Sequence, residues 1–393
     1  MMFVNKIRIF LSLLIIWGSM LSYAQKRDSI QFSLLTCSPG TEIYSLFGHT
    51  AIRYQNYTQN KDIVFNYGMF SFSSPNFIYR FVKGETDYQL GVNDFRLFEA
   101  EYMFRGSSVY QQILNLTYEE KLKLQNLLFT NYLPQNRVYR YNYFYDNCTT
   151  RARDQIEKCI DGDVEYPTSV PDKTFRGIIH EFTKGFDWEE FGIDLCLGAG
   201  ADKQIGIRQQ MFSPFYMRSF AESAFIKDEN GNTRPLVLKE EVIVDADTVD
   251  ADESSFQFSP IACATFFLFL NVVIAFVQIV RKKIYWFWDL ILYLSQGLAG
   301  CIIAFLFFFS IHPTVDSNWL ILLFNPIPLF YLPFMVYNDI KRKKDKWHVI
   351  NSVYLTLFIL ILPLIPQEIN LSVLLLALGL LFNAVSHQIV YRK

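Results

Sequence analysis

The stretch Tyr141-Asn142-Tyr143-Phe144-Tyr145-Asp146-Asn147-Cys148-Thr149-Thr150-Arg151 places a cysteine where a helix should begin. Asp146 and Asn147 are favoured helix caps, and Thr149 to Ile160 contains no breaker, so a helix is predicted from about Cys148. Free backbone N–H groups and the positive end of the helix dipole favour a thiolate there. They lower its pKa and make Cys148 a candidate nucleophile. The same N–H groups can face a developing oxyanion. A thiolate still needs a proton partner.

Upstream, Ser45-Leu46-Phe47-Gly48-His49-Thr50-Ala51-Ile52-Arg53 sets a histidine after a glycine at the start of a predicted strand, where its ring can face a cleft. Ala51–Tyr54 and Ile63–Tyr67 have the apolar and aromatic enrichment of adjacent strands, and the polar turn Gln55–Lys61 between them predicts that they pair. Thr117 followed by Glu120 is a capping box, opening a helix through Leu122, Leu124, Leu127 and Leu128 that Pro134 ends. From Gln25 to about Phe225 the chain thus reads as one mixed domain, strands first and helices later.

That region offers two histidines, His49 and His180, and four cysteines, Cys37, Cys148, Cys159 and Cys196. It has no CxxC, HExxH or paired-histidine spacing, so no metal site is expected there. No local pattern singles out a carboxylate pair for glycoside chemistry. A cysteine and a histidine 99 positions apart (148 minus 49) fit a catalytic pair, and equally a disulfide cysteine with a core histidine. His180, in Gly177-Ile178-Ile179-His180-Glu181-Phe182, is the rival base, although its helical surroundings favour packing. In an oxidising space a pair among Cys37, Cys159 and Cys196 could be bridged. Arg53 and Arg151 suit either a lipid phosphate or an ordinary ion pair.

With 51% hydrophobic residues in 393, part of the chain must sit in lipid. Residues 1–24 read as a signal peptide, with Lys6 and Arg8, the apolar run Ile9–Trp17, and Ser22-Tyr23-Ala24 at a cleavage site. Residues 25–225 form the exported domain. Residues 226–259 comprise a hairpin turning at Glu229-Asn230-Gly231-Asn232, with strands at Pro235–Leu238 and Val242–Val244, and an acidic tether over Asp245–Ser255. Residues 260–393 hold five predicted spans: Ile261–Val280, Tyr285–Phe309, Trp319–Tyr337, Val349–Ile365 and Leu371–Ile389. The third must break at Asn325, Pro326, Pro328 and Pro333, freeing carbonyls that need partners. Asp289, His387 and Gln388 are expected at the membrane interface. Basic residues cluster at Arg281–Lys283, Lys341–Lys346 and Arg392–Lys393, which puts the C-terminus in the cytoplasm and residues 25–259 outside. The net charge of −2 gives no reason to expect nucleic acid.

Phe47-Gly48-His49-Thr50-Ala51-Ile52-Arg53 and Asn147-Cys148-Thr149-Thr150-Arg151, with Val64-Phe65-Asn66-Tyr67-Gly68 between them and Leu197-Gly198-Ala199-Gly200-Ala201-Asp202-Lys203 beyond, resemble the bacterial Lnb N-terminal periplasmic domain family. The histidine-then-asparagine-cysteine order is more distantly similar to the permuted NlpC/P60 and lecithin:retinol acyltransferase group. The resemblance implies an α+β permuted papain-like extracytoplasmic domain, followed here by an all-α transmembrane bundle of five helices. It implies Cys148 as nucleophile and His49 as base, with a polar orienter on the next strand, for which Asn66 is the candidate by position. Members of the acyltransferase group often carry a second histidine there, and an amide can orient an imidazole without sharing its charge.

The activity implied is lipoprotein N-acylation through a thioester at the inner membrane, with a membrane phospholipid as acyl donor, a diacylated lipoprotein as acceptor and no cofactor. The same dyad would also serve a membrane-bound cell-wall amidase or endopeptidase, and a non-catalytic scaffold is the third reading.

Overall fold

The computed structural model describes residues 29–169, 171–246 and 258–391, so the signal peptide and most of the acidic tether lie outside the described residues. The chain divides into two compact units.

The first takes in the described residues up to Ser73, Asp87–Pro171, and Gly206 to Ala246. Its frame is a seven-stranded sheet built from β1 (Ile30–Cys37), β2 (His49–Asn56), β3 (Lys61–Met69), β4 (Asp87–Asp94), β5 (Val109–Leu114), β6 (Val138–Arg140) and the strand Val237–Val244. In space the order is Val237–Val244, β5, β1, β2, β3, β4, β6, and every pairing is antiparallel. The predicted neighbours β2 and β3 pair as expected, with Ile52 opposite Phe65.

Side chains alternate across the pleat, so both faces of the sheet are apolar and both are covered. Phe32, Leu34, Ile52, Tyr54, Phe65 and Tyr67 pack on one face with Leu124 and Leu128 of the helix Tyr118–Tyr132, and with Ala152 and Ile156 of the helix Cys148–Cys159. Leu35, Ala51, Val64 and Val109 pack on the other face against Phe95, Phe98 and Tyr102 of the helix Phe95–Phe104. The capping box at Thr117 and Glu120 is formed as predicted, and the helix ends at Tyr132, two residues before Pro134.

The 226–259 region differs from its sequence reading. The hairpin does turn at Asn230-Gly231, but its strands are Phe225–Lys227 and Thr233–Pro235. The strand candidates Pro235–Leu238 and Val242–Val244 are not two separate strands. Val237–Val244 is one continuous strand that completes the edge of the main sheet beside β5, because that pairing satisfies its backbone groups with a partner more than a hundred residues away.

The second unit comprises Ser74–Thr86, Asp172–Ile205 and the C-terminal helices. Two pieces of the expected 25–225 domain therefore cluster with the spans. Among the described residues, five helical segments are long and apolar enough to cross a membrane: Pro260–Arg281, Trp286–Phe309, Trp319–Ile340, Lys346–Leu364 and Leu371–Val390. The third is broken as anticipated, with a 3₁₀ turn at Trp319–Leu322 and a new helix from Ile327. The freed carbonyls are met by protein side chains. Gln296 Nε2 donates to Leu323 O at 2.8 Å, and Tyr354 Oη–H and Asn325 Nδ2 donate to Leu322 O.

Candidate active site

Cys148 is the first residue of its helix, and Asn147 is the cap. Asn147 Oδ1 accepts the N–H groups of Thr149 and Thr150, each at 2.9 Å, and Asn147 O accepts that of Arg151 at 3.1 Å. The Cys148 N–H belongs to the same first turn, next to its own sulfur. Asn147 Nδ2 in turn donates to Tyr143 O and Phe212 O, so both ends of the amide are fixed. Asp146 does not cap. It takes a two-pronged ion pair from Arg151, at 2.6 and 2.8 Å, whose guanidinium lies over the Tyr139 ring.

His49 opens β2, the fourth strand of seven, immediately after Gly48. Gly48 has φ +74, and a Cβ there would come within 2.5 Å of Cys37 O, so the approach needs a glycine. Continuing the β2–β3 register places His49 opposite Gly68, which makes Asn66 its diagonal neighbour on the same face. The structure makes that contact: His49 Nε2–H donates to Asn66 Oδ1 at 2.5 Å. The other ring nitrogen is then left to interact with Cys148, whose ionised form His49 favours. Gly68, also at positive φ, leaves room for Cys148; its missing Cβ would lie 3.5 Å from that of Cys148.

The electrostatics suit a thiolate–imidazolium pair. Burial works against the Cys148 thiolate, but the charge and hydrogen bond of His49, the Thr50 N–H and the Thr149 hydroxyl outweigh it, and the thiol is lowered from 9.0 to about 7. Burial likewise disfavours the charged His49, yet the Cys148 charge and the bonds to Cys148 and Asn66 raise its pKa above the ordinary value. Thr50 Oγ and Thr149 Oγ are 3.0 Å apart and tie the strand to the helix beside the sulfur. Sequence reasoning missed these two threonines as parts of the site, although both flank the quoted residues.

The remaining candidates fall elsewhere. His180 is committed to Asp194 at 2.9 Å, and Asp194 also receives Arg176. All six cysteines are free, so the bridge considered among Cys37, Cys159 and Cys196 is not formed. Cys37 and Cys159 are wholly buried, and burial pushes both thiols up, Cys159 to about 12. Arg53 is held by Asp62 at 2.9 and 2.6 Å and by Gln111 at 2.7 Å, with its guanidinium over the Phe95 ring. Both arginines are thus engaged within the domain rather than presented to a phosphate. Asp289 and His387 are not interfacial but fully buried, because the packing of several spans encloses them.

Residues 23–180 match the family model described as the Lnb N-terminal periplasmic domain, and residues 251–393 match the Lnb transmembrane domain. No curated protein and no solved structure matches the chain.

Proposed function

Since the chain belongs to the Lnb family and is a multi-pass membrane protein with a periplasmic domain, we propose that it is a cysteine-dependent lipoprotein N-acyltransferase of the cytoplasmic membrane. The observation that carries this reading is the Cys148–His49–Asn66 array at a helix start capped by Asn147.

In the first step the Cys148 thiolate attacks the ester carbonyl of a membrane phospholipid, and the Cys148 N–H faces the oxyanion. The carbon–oxygen bond breaks, His49 returns its proton to the departing alkoxide, and a lysophospholipid leaves. The acyl group remains as a thioester. In the second step the amino group of a diacylglyceryl-cysteine attacks that thioester while His49 takes its proton. The carbon–sulfur bond breaks, the amide leaves and the thiolate is restored. Asn66 holds the imidazole so that one nitrogen faces sulfur throughout. Both substrates are lipids, and the spans offer apolar space for a chain: a pocket of about 160 Å³ is lined by Phe267, Ile291, Leu292, Phe324 and Leu380. A wall amidase would need only a tether.

The test is intact-protein mass analysis after incubation with phospholipid alone. The expected result is a fatty-acyl adduct on Cys148 that neutral hydroxylamine removes, that transfers to a diacylated lipopeptide amine, and that never forms in Cys148→Ser. Undiminished N-acylation by a folded Cys148→Ser protein would refute the mechanism.

A further inference from the structure

Asp289 lies in the first turn of the second span, Asp339 at the end of the third, His348 in the first turn of the fourth, and His387 near the end of the fifth. Because successive spans run in opposite directions, all four reach the end of the bundle that carries the basic connections at Arg281–Lys283 and Lys341–Lys346. They are 0%, 4%, 1% and 1% exposed, a costly place for ionisable groups unless something compensates them.

The hydrogen bonds are incomplete in a telling way. His387 Nε2–H donates to the Asp289 carboxylate at 3.1 and 3.2 Å, and Asn383 Nδ2 also donates to it at 2.6 Å. The proton of a neutral His387 is thereby placed on Nε2, and its Nδ1 carries a lone pair. That lone pair faces Asp339 Oδ1 at 3.5 Å, acceptor against acceptor. Among the described residues, neither Asp339 oxygen, neither His348 nitrogen, nor His387 Nδ1 has a hydrogen-bond partner. One atom from each of the three residues lies within 4.8 Å of the others. A shared proton would satisfy one pair of these acceptors. A cation would engage one such atom from each of the three residues at once.

We propose that Asp339, His348 and His387 bind a divalent transition-metal ion of the zinc class, with Asp289 orienting His387 from behind. Two imidazoles and a carboxylate are a donor set zinc favours. The 3.5 Å between His387 Nδ1 and Asp339 Oδ1 is close to the edge of about 3.3 Å expected between two ligands at tetrahedral zinc. The Asp289–His387 bond is the usual carboxylate–histidine support of a metal ligand. The His348 ring is stacked on that of His387 with centroids 3.5 Å apart, so binding turns His348 about its side-chain bonds to bring a nitrogen to the same point. Asp339 also lines a pocket of about 220 Å³ with Trp286, Arg342 and Tyr391, which provides access from the basic end. Such an ion would clamp the third, fourth and fifth spans together. No sequence motif announces it, because each ligand comes from a different helix.

The experiment uses the full chain in nanodiscs, purified without a histidine tag, loaded with Zn²⁺, desalted and analysed for metal. The expected result is a single ion per chain and a melting temperature raised by Zn²⁺. His348→Ala and His387→Ala should lose the ion, Asp289→Asn should weaken it roughly 10- to 100-fold, and His180→Ala should keep it. Co²⁺ should give the intense visible absorption of a tetrahedral nitrogen and oxygen site. Should an alanine variant not fold, His348→Gln and Asp339→Asn put the same question. Wild-type protein that retains no Zn²⁺ and shows no Zn²⁺-dependent melting would overturn the proposal in favour of a shared proton, as would equal metal in wild type and His348→Gln.

Discussion

Replacing His49 by alanine should move the ionisation of Cys148 by a large, calculable amount. In the intact site the thiol stands at about 7 against an ordinary 9.0, a difference on the order of 3 kcal/mol in favour of the thiolate. Burial alone would raise it, so removing the charge and hydrogen bond of His49 leaves a buried thiol whose midpoint lies above 9.0. At pH 7 the thiolate fraction then falls from about one half to about 1% or less. The rate falls by less, because a thiolate of higher pKa is intrinsically more nucleophilic, by roughly eight-fold for a difference of this size. The midpoint of the pH profile is therefore the decisive readout.

The assay is iodoacetamide labelling of the full chain between pH 5.5 and 10.5, with the Cys148 peptide quantified by mass spectrometry and folding checked by thermal melting. Wild-type labelling should rise through pH 7 and level off, and His49→Ala labelling should rise only above pH 9. Cys37 and Cys159, buried with raised pKa values, should stay unlabelled throughout. A wild-type midpoint above 8.5, or one that His49→Ala leaves unchanged, would refute the coupled pair.

Asn66→Ala removes the 2.5 Å bond that directs the imidazole; it should slow thioester formation roughly tenfold to a hundredfold without abolishing it, the loss expected for a hydrogen bond to a charged group of about 1.5–3 kcal/mol. A wild-type rate would remove Asn66 from the site. Gly48→Ala forces a side chain into the left-handed region and against Cys37 O, so stability should fall by at least about 1–2 kcal/mol in denaturant unfolding and thioester yield should collapse with it. An alanine variant with normal melting and full yield would contradict the described turn. Arg176→Met strands Asp194 and Asp202 beside a fully buried position, and should cost about 3–5 kcal/mol. A cost under about 1 kcal/mol would mean that those carboxylates find other partners.

What could be read from the chain was what is local in it. The helix at Cys148 and the helix at Thr117 were legible because caps act within four residues, and β2 and β3 were legible because a short polar turn joins two enriched runs. Asn66 could be named only by position, from an assumed neighbouring strand, and the register now accounts for its place beside His49. Val237–Val244 was split in two because its partner, β5, is remote in sequence and no local pattern encodes a distant edge. Asp289 and His387 were assigned to the interface because hydropathy sees distance from the end of a span and not which face meets another helix. For the same reason the clustering of Asp172–Ile205 with the spans was not visible. A bridge among Cys37, Cys159 and Cys196 could be considered from compartment alone, whereas its formation depends on Cβ geometry that only the fold supplies.

His49 opens the middle strand of seven, where it pairs with Cys37 of β1, the strand is flanked by β1 and β3, and the Cys148 helix packs onto that same strand. Residues in such a position exchange their amide hydrogens only when the whole unit opens, whereas catalytic groups carried on loops are released by cheap local openings. His49 and Cys148 should therefore stay assembled until global unfolding, with amides of β2 among the slowest to exchange. Loss of acyl transfer on heating or in urea should then coincide with loss of the sheet itself, and activity becomes a direct gauge of the folded fraction.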